Sequence, residues 1–124
     1  MVQFATRIID HEPAAPAETI DRGQLARMTL GDRSLEREVL QLFDRQAGLL
    51  LARMQSGEPS AVATLAHTLK GSAAGIGATA VVHSAEAVER AASAAERDLA
   101  IGRLAIAIDE ARAAIAALLG ALQG

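Results

Sequence analysis

The 124-residue chain has no cysteine, no tryptophan and no tyrosine, and only two phenylalanines, Phe4 and Phe43. Without cysteine there is no disulfide framework, no thiolate nucleophile and no zinc–thiolate site. The β-branched and aromatic residues that fill strands are scarce, which argues against sheet architectures. Charge of either sign is modest: the net charge of −3 argues against a nucleic-acid binder, which normally shows a basic face. No apolar run approaches the roughly 20 residues that span a bilayer, because Arg, Asp or Glu interrupts each one. The stretch 111–122 comes nearest and is preceded by Asp109 and Glu110. The first 18 residues lack the apolar stretch of a secretory signal, so the expected location is the cytoplasm, away from membrane and nucleic acid.

What is abundant is Ala (29 residues) and Leu (15), the two residues at the head of the helix-propensity ranking. The expected fold is all-α, an antiparallel four-helix bundle with a short N-terminal lid helix. Residues 1–18, with Pro13 and Pro16, read as a flexible tail, and 19–124 as the helical domain. Thr19 or Asp21 caps a short helix carrying Ile20, Leu25 and Met28 and stopping near Gly31. Asp32 or Ser34 opens a second helix to about Gln55, with Leu35, Val39, Leu42, Phe43, Leu49 and Leu50 as its expected core stripe. Met28 and Met54, near helix ends, are expected to fill core or lid space.

The third helix is expected from Pro59 to about Ala74, broken by Gly75-Ile76-Gly77. The fourth runs from about Ala78 to Ala94, with Val81, Ala85, Val88, Ala92 and Ala95 in register. The last covers about Glu96 to Leu119, with Ile101, Leu104, Ile108, Ala111, Ile115, Leu118 and Leu122 at the same spacing. No glycine-rich loop of the P-loop or Rossmann kind is present, which argues against independent nucleotide binding.

The third helix carries the chemistry. At about 100° per residue, Val62, Leu65, Ala66, Leu69, Ala73 and Ile76 share one sector, the core side. His67, Lys70, Gly71, Ala74, Ala63 and Thr64 fall opposite, on a face of small residues that another protein can cover. Lys70 is the only lysine of the chain, set one turn from His67. Gly71 sits inside the helix, where it costs about 1 kcal/mol relative to Ala, which points to a close approach at that spot. A neutral imidazole, titrating ordinarily near about pH 6.5, offers a free ring nitrogen to a phosphoryl group. A neighbouring ammonium offsets the phosphoryl charge. A carboxylate accepting from the other ring nitrogen would fix the tautomer. Glu89, on the flank of the fourth helix, is the first candidate and Glu86 the second.

This segment, Ala66-His67-Thr68-Leu69-Lys70-Gly71-Ser72-Ala73-Ala74-Gly75-Ile76-Gly77-Ala78, resembles the histidine-containing phosphotransfer (HPt) domain family. The resemblance extends over Ile20-Asp21 to Leu25, Leu30-Gly31-Asp32, Leu35 to Phe43 and Ala85 to Ala92, about residues 19–120 in all. It implies a phosphocarrier without kinase activity of its own, in which His67 accepts a phosphoryl group from a receiver-domain aspartyl phosphate or a histidine kinase. His67 would then pass the group to the Asp of a response regulator. Lys70 would steady the phosphoryl charge, Gly71 would permit docking and Glu89 would orient His67. No cofactor is implied, any Mg belonging to the partner receiver, and a monomer is expected. The chain departs from the pattern at Glu89, where many members carry Gln, and at Gly75, where the family residue is often polar. The resemblance leaves a free-standing shuttle and a fragment of a larger kinase open, the tail at 1–18 favouring the former weakly.

The rival reading is a helical docking module that binds receivers through the His67 face without phosphotransfer. A metal site has little support: His11, His67 and His83 are the only imidazoles, and no His-x-x-x-His or Glu-x-x-His pair occurs.

Overall fold

A computed structural model describes residues 19–123 and is helical over most of them. The tail expected at 1–18, including His11, lies outside the described residues, as does the side chain of Leu122. The elements are α1 (Arg22–Thr29), α2 (Arg33–Ser56), α3 (Pro59–Ile76), α4 (Thr79–Arg90) and α5 (Ala94–Gln123). Helices α2 to α5 form the expected antiparallel bundle: α3 packs on α2 and α4, and α5 closes the ring on α4 and α2. The short α1 lies across α2 and α3. No helix among the described residues is long and apolar enough to cross a membrane.

Local chemistry explains most helix ends. Asp21 and Asp32 cap α1 and α2, each side chain accepting from the backbone N–H three residues on, Gln24 and Leu35. Leu30 ends α1 in a left-handed conformation. Pro59 occupies the first position of α3, where a missing N–H is harmless.

Helix α3 runs through Gly75 and stops at Gly77, two residues beyond the expected break. At Gly77 φ is +78°, and an added Cβ would lie 2.6 Å from the Asp21 carbonyl oxygen, so both conformation and space demand glycine there. The Asp21 N–H donates to the Gly77 carbonyl over 2.8 Å, tying the start of α1 to the end of α3.

Two expectations fail. On α2 the buried stripe is Leu40, Phe43, Ala47, Leu50 and Met54, whereas Leu35, Leu42 and Leu49 are exposed. Two apolar stripes run along this helix, and the sequence alone does not say which one meets the core. Helix α4 stops at Arg90, leaving Ala92 and Ala95 exposed. The chain breaks there because Ser93 Oγ accepts from the Glu96 N–H (3.1 Å) and Glu96 Oε2 accepts from the Ala92 N–H (3.3 Å). Together these two bonds start a new helix. Met28, half exposed, fills lid space and not core: its Sδ would lie 2.9 Å from a Cβ at Gly75. Glycine at 75 thus makes room for the lid. Met54, by contrast, is buried as expected.

Candidate functional site

All six residues assigned to the core side of α3 are buried: Val62, Leu65, Ala66, Leu69, Ala73 and Ile76. That fixes the opposite face. His67, Gly71, Ala63, Thr64 and Ala74 are exposed and Lys70 is half-buried. Thr68 Oγ1 returns a hydrogen bond to the Thr64 carbonyl (3.1 Å) and so competes for no external group.

Glu89 crosses from α4 to join two of these side chains. His67 Nδ1 lies 2.9 Å from Glu89 Oε2, and Lys70 Nζ lies 2.8 Å from Oε1. Oε1 is screened from water, with the ammonium beside it. The ammonium of Lys70 first, and the hydrogen bond with His67 second, hold the Glu89 carboxyl below its ordinary range, against a smaller opposing effect of burial. The carboxylate is therefore ionised at neutral pH and can only accept. His67 Nδ1 must carry the proton, which leaves the lone pair of the neutral ring on Nε2. With 70% of the side chain exposed, the ring stands out from the bundle. Glu86, the second candidate, does not reach the ring; it pairs with Arg90 at 3.6 Å.

The sign of the pH effect follows. A carboxylate with a depressed folded pKa adds stability that is complete above its unfolded value and is lost as pH falls through the folded one. The thermal midpoint of the wild type should exceed that of Glu89→Gln at pH 7, and the gap should close below about pH 4.3. A gap that stayed constant from pH 7 to pH 3 would show that the ion pairs contribute nothing.

Gly71 differs from the other glycines with assignable roles. Gly48 lies under the Arg112 guanidinium, which binds Asp44, and Gly75 and Gly77 make room for α1. A Cβ at Gly71 would meet nothing within 4 Å. Nothing inside the chain requires glycine there, so Gly71→Ala should raise stability by about 1 kcal/mol through helix propensity. A lowered urea midpoint would contradict this.

His83 is exposed on α4, apart from His67, and among the described residues no three His, Cys, Asp or Glu side chains converge as metal ligands.

A family model, the Hpt domain, matches residues 34–123. The chain belongs to the Hpt domain family. Neither a comparison with curated proteins nor one with solved structures gave a match. The Hpt match begins at the first turn of α2, so α1, which the resemblance had included, lies outside it. As an Hpt domain the chain is a phosphocarrier module of histidine phosphotransfer in two-component phosphorelays, a class that works with receiver domains. Sequence reasoning placed His67, Lys70 and Glu89 near one another. It missed that Glu89 binds both partners, because helical angles give direction but not which atoms meet.

Proposed function

We propose that His67 is the phosphoryl carrier and that Nε2 is the atom that bears the group. The observation that carries this reading is the Nδ1–Glu89 contact, which turns the nucleophilic nitrogen of an exposed ring outward. Nε2 attacks the phosphorus of a receiver's aspartyl phosphate. The P–N bond forms as the P–O bond to the aspartate breaks, and the aspartate leaves as a carboxylate. The Nδ1 proton stays on the ring, so the phosphorylated ring is a cationic imidazolium beside the Glu89 carboxylate, with the negative charge on the phosphoryl oxygens. Attack by the aspartate of a second receiver reverses the sequence.

Glu89 is a positioning residue that fixes the tautomer and offsets the ring's charge. Lys70 starts bound to Glu89 and turns its ammonium toward the phosphoryl oxygens as they arrive. Gly71, with Ala63, Thr64 and Ala74, lets a receiver settle close to the ring. Gly71→Gln should therefore keep the fold yet slow transfer. The chain supplies no metal; the Mg of such reactions sits with the receiver. The setting we assign is the cytoplasm, where receivers reside.

The test is transfer of labelled phosphoryl from a phosphorylated receiver to this protein. An acid-labile, base-stable label is expected. Receivers that bind but transfer nothing would support a docking module instead.

A further inference from the structure

Leu99 and Ile106, 58% and 62% exposed, are the large apolar side chains that α5 turns to water. Ile106 lies about 160° around the helix from each of two buried residues, Leu104 and Ile108, so it points straight away from the core. Leu99 and Ala113, seven residues to either side, fall within about 20° of it. Gly102 is on the same face, and a Cβ there would meet nothing within 4 Å. All four residues are exposed, and none of the described residues covers them.

The charges beside this stripe select what covers it. Arg103 and Glu110 lie on one flank, about 60° and 40° around from Ile106. Among the described residues neither makes an ion pair or a hydrogen bond. They stand about 10 Å apart along the axis, too far round and along to be neighbours on one helix. When a second copy lies antiparallel across a two-fold axis at Ile106, the same flank of each helix meets the other. Ile106 then meets Ile106, and Leu99 meets the small Ala113. Arg103 comes within about 1.5 Å, measured along the axis, of Glu110 of the second copy. Asp109 of that copy meets the open space at Gly102. Arg90 of α4 lines a groove with Leu99 and Arg103, and Glu86 holds it only at 3.6 Å, so the incoming Glu110 finds a second guanidinium nearby. A parallel pair would set Leu99 on Leu99 and Ala113 on Ala113, and would level Arg103 with Arg103. Only the antiparallel pair joins large to small and positive to negative.

We propose that the outward face of α5 binds a second copy of this chain, giving an antiparallel two-fold dimer centred on Ile106 in place of the monomer that the resemblance implies. Helix α5 packs on α2 and α4 and closes the ring on the side away from α3, so His67 of each copy stays uncovered. The dimer carries two sites that face away from the contact. From Leu99 to Ala113 is about 21 Å and a helix is about 10 Å wide, so the contact is well under the about 800 Å² per partner of a standard interface. Association is accordingly reversible and depends on concentration.

The test is sedimentation equilibrium of the full chain from about 1 μM to about 1 mM, with circular dichroism checking each fold. The wild type should pass from monomer to dimer over this range. Leu99→Asn/Ile106→Asn should weaken association by about tenfold or more, and single Ile106→Asn serves if the double variant unfolds. Arg103→Glu and Glu110→Arg should each associate more weakly than the wild type. An equimolar mixture of these two should dimerise more tightly than either alone, because both contacts between positions 103 and 110 in the mixed pair then join opposite charges. A wild type that stays monomeric at about 1 mM would overturn the proposal and leave the face to a different protein. So would a dimer that Ile106→Asn does not weaken, or a mixture that associates no more tightly than its parts.

Discussion

The His67→Gln variant should take no label from any phosphorylated receiver while folding as the wild type does. Both halves follow from the position of the ring. His67 is 70% exposed and supports no part of the core, so its removal leaves the bundle's apolar contacts intact. Gln is a fair helix former and can keep a hydrogen bond with Glu89, while the Lys70–Glu89 pair remains in place. An amide nitrogen, however, has its lone pair delocalised into the carbonyl and does not attack phosphorus. Transfer should drop by at least about a thousandfold, the scale lost when a nucleophile is removed. The check is a labelling time course with circular dichroism of the same samples. Residual labelling at more than a few per cent of the wild-type rate would place the phosphoryl group on another side chain.

Phe43→Ala should destabilise the domain by about 3 kcal/mol or more, the largest single effect on the fold. Phe43 is 2% exposed and is the only aromatic side chain among the described residues. It belongs to a core cluster that otherwise consists of Ala, Leu, Ile, Val and Met, so truncating it removes the largest side chain of that cluster. For a domain of this size that is a sizeable fraction of a total stability of about 5–15 kcal/mol. The urea midpoint should fall with an unchanged slope, because lost packing does not alter the surface exposed on unfolding. An unchanged midpoint would show that the core closes over the gap without loss.

How far the sequence could be read is best seen by comparing helices. On α3 the apolar residues form a single sector, so period alone assigned both the core face and the exposed His67. On α2 two stripes share a seven-residue spacing, Leu40–Ala47–Met54 and Leu35–Leu42–Leu49, and the outward one is the more hydrophobic. The expected stripe mixed the two sides, so Phe43 and Leu50 are buried as expected and Val39 packs against the core, whereas Leu35, Leu42 and Leu49 face outward. The end of α4 was legible and was overlooked: Ser93-Ala94-Ala95-Glu96 is the spacing of a reciprocal cap, hidden among alanines that suit either helix. Gly75 and Gly77 look alike in sequence; in the structure Gly75 is helical and faces Met28, whereas Gly77 ends the helix at φ +78° against Asp21. The His67–Glu89 contact was anticipated in direction. The Lys70–Glu89 contact was not, since it depends on the length and bend of a flexible side chain.

The central claim is that Glu89 holds the Nδ1 proton of His67 and so directs the phosphoryl group to Nε2. The most direct measurement is nitrogen NMR of the His67 ring in ¹⁵N-labelled protein, before and after phosphorylation by a receiver. The resting spectrum should show a protonated Nδ1 and a bare Nε2, and the phosphorylated one a phosphorus coupling at Nε2 with the Nδ1 proton retained. A resting ring protonated at Nε2, or a phosphorus coupling at Nδ1, would contradict it.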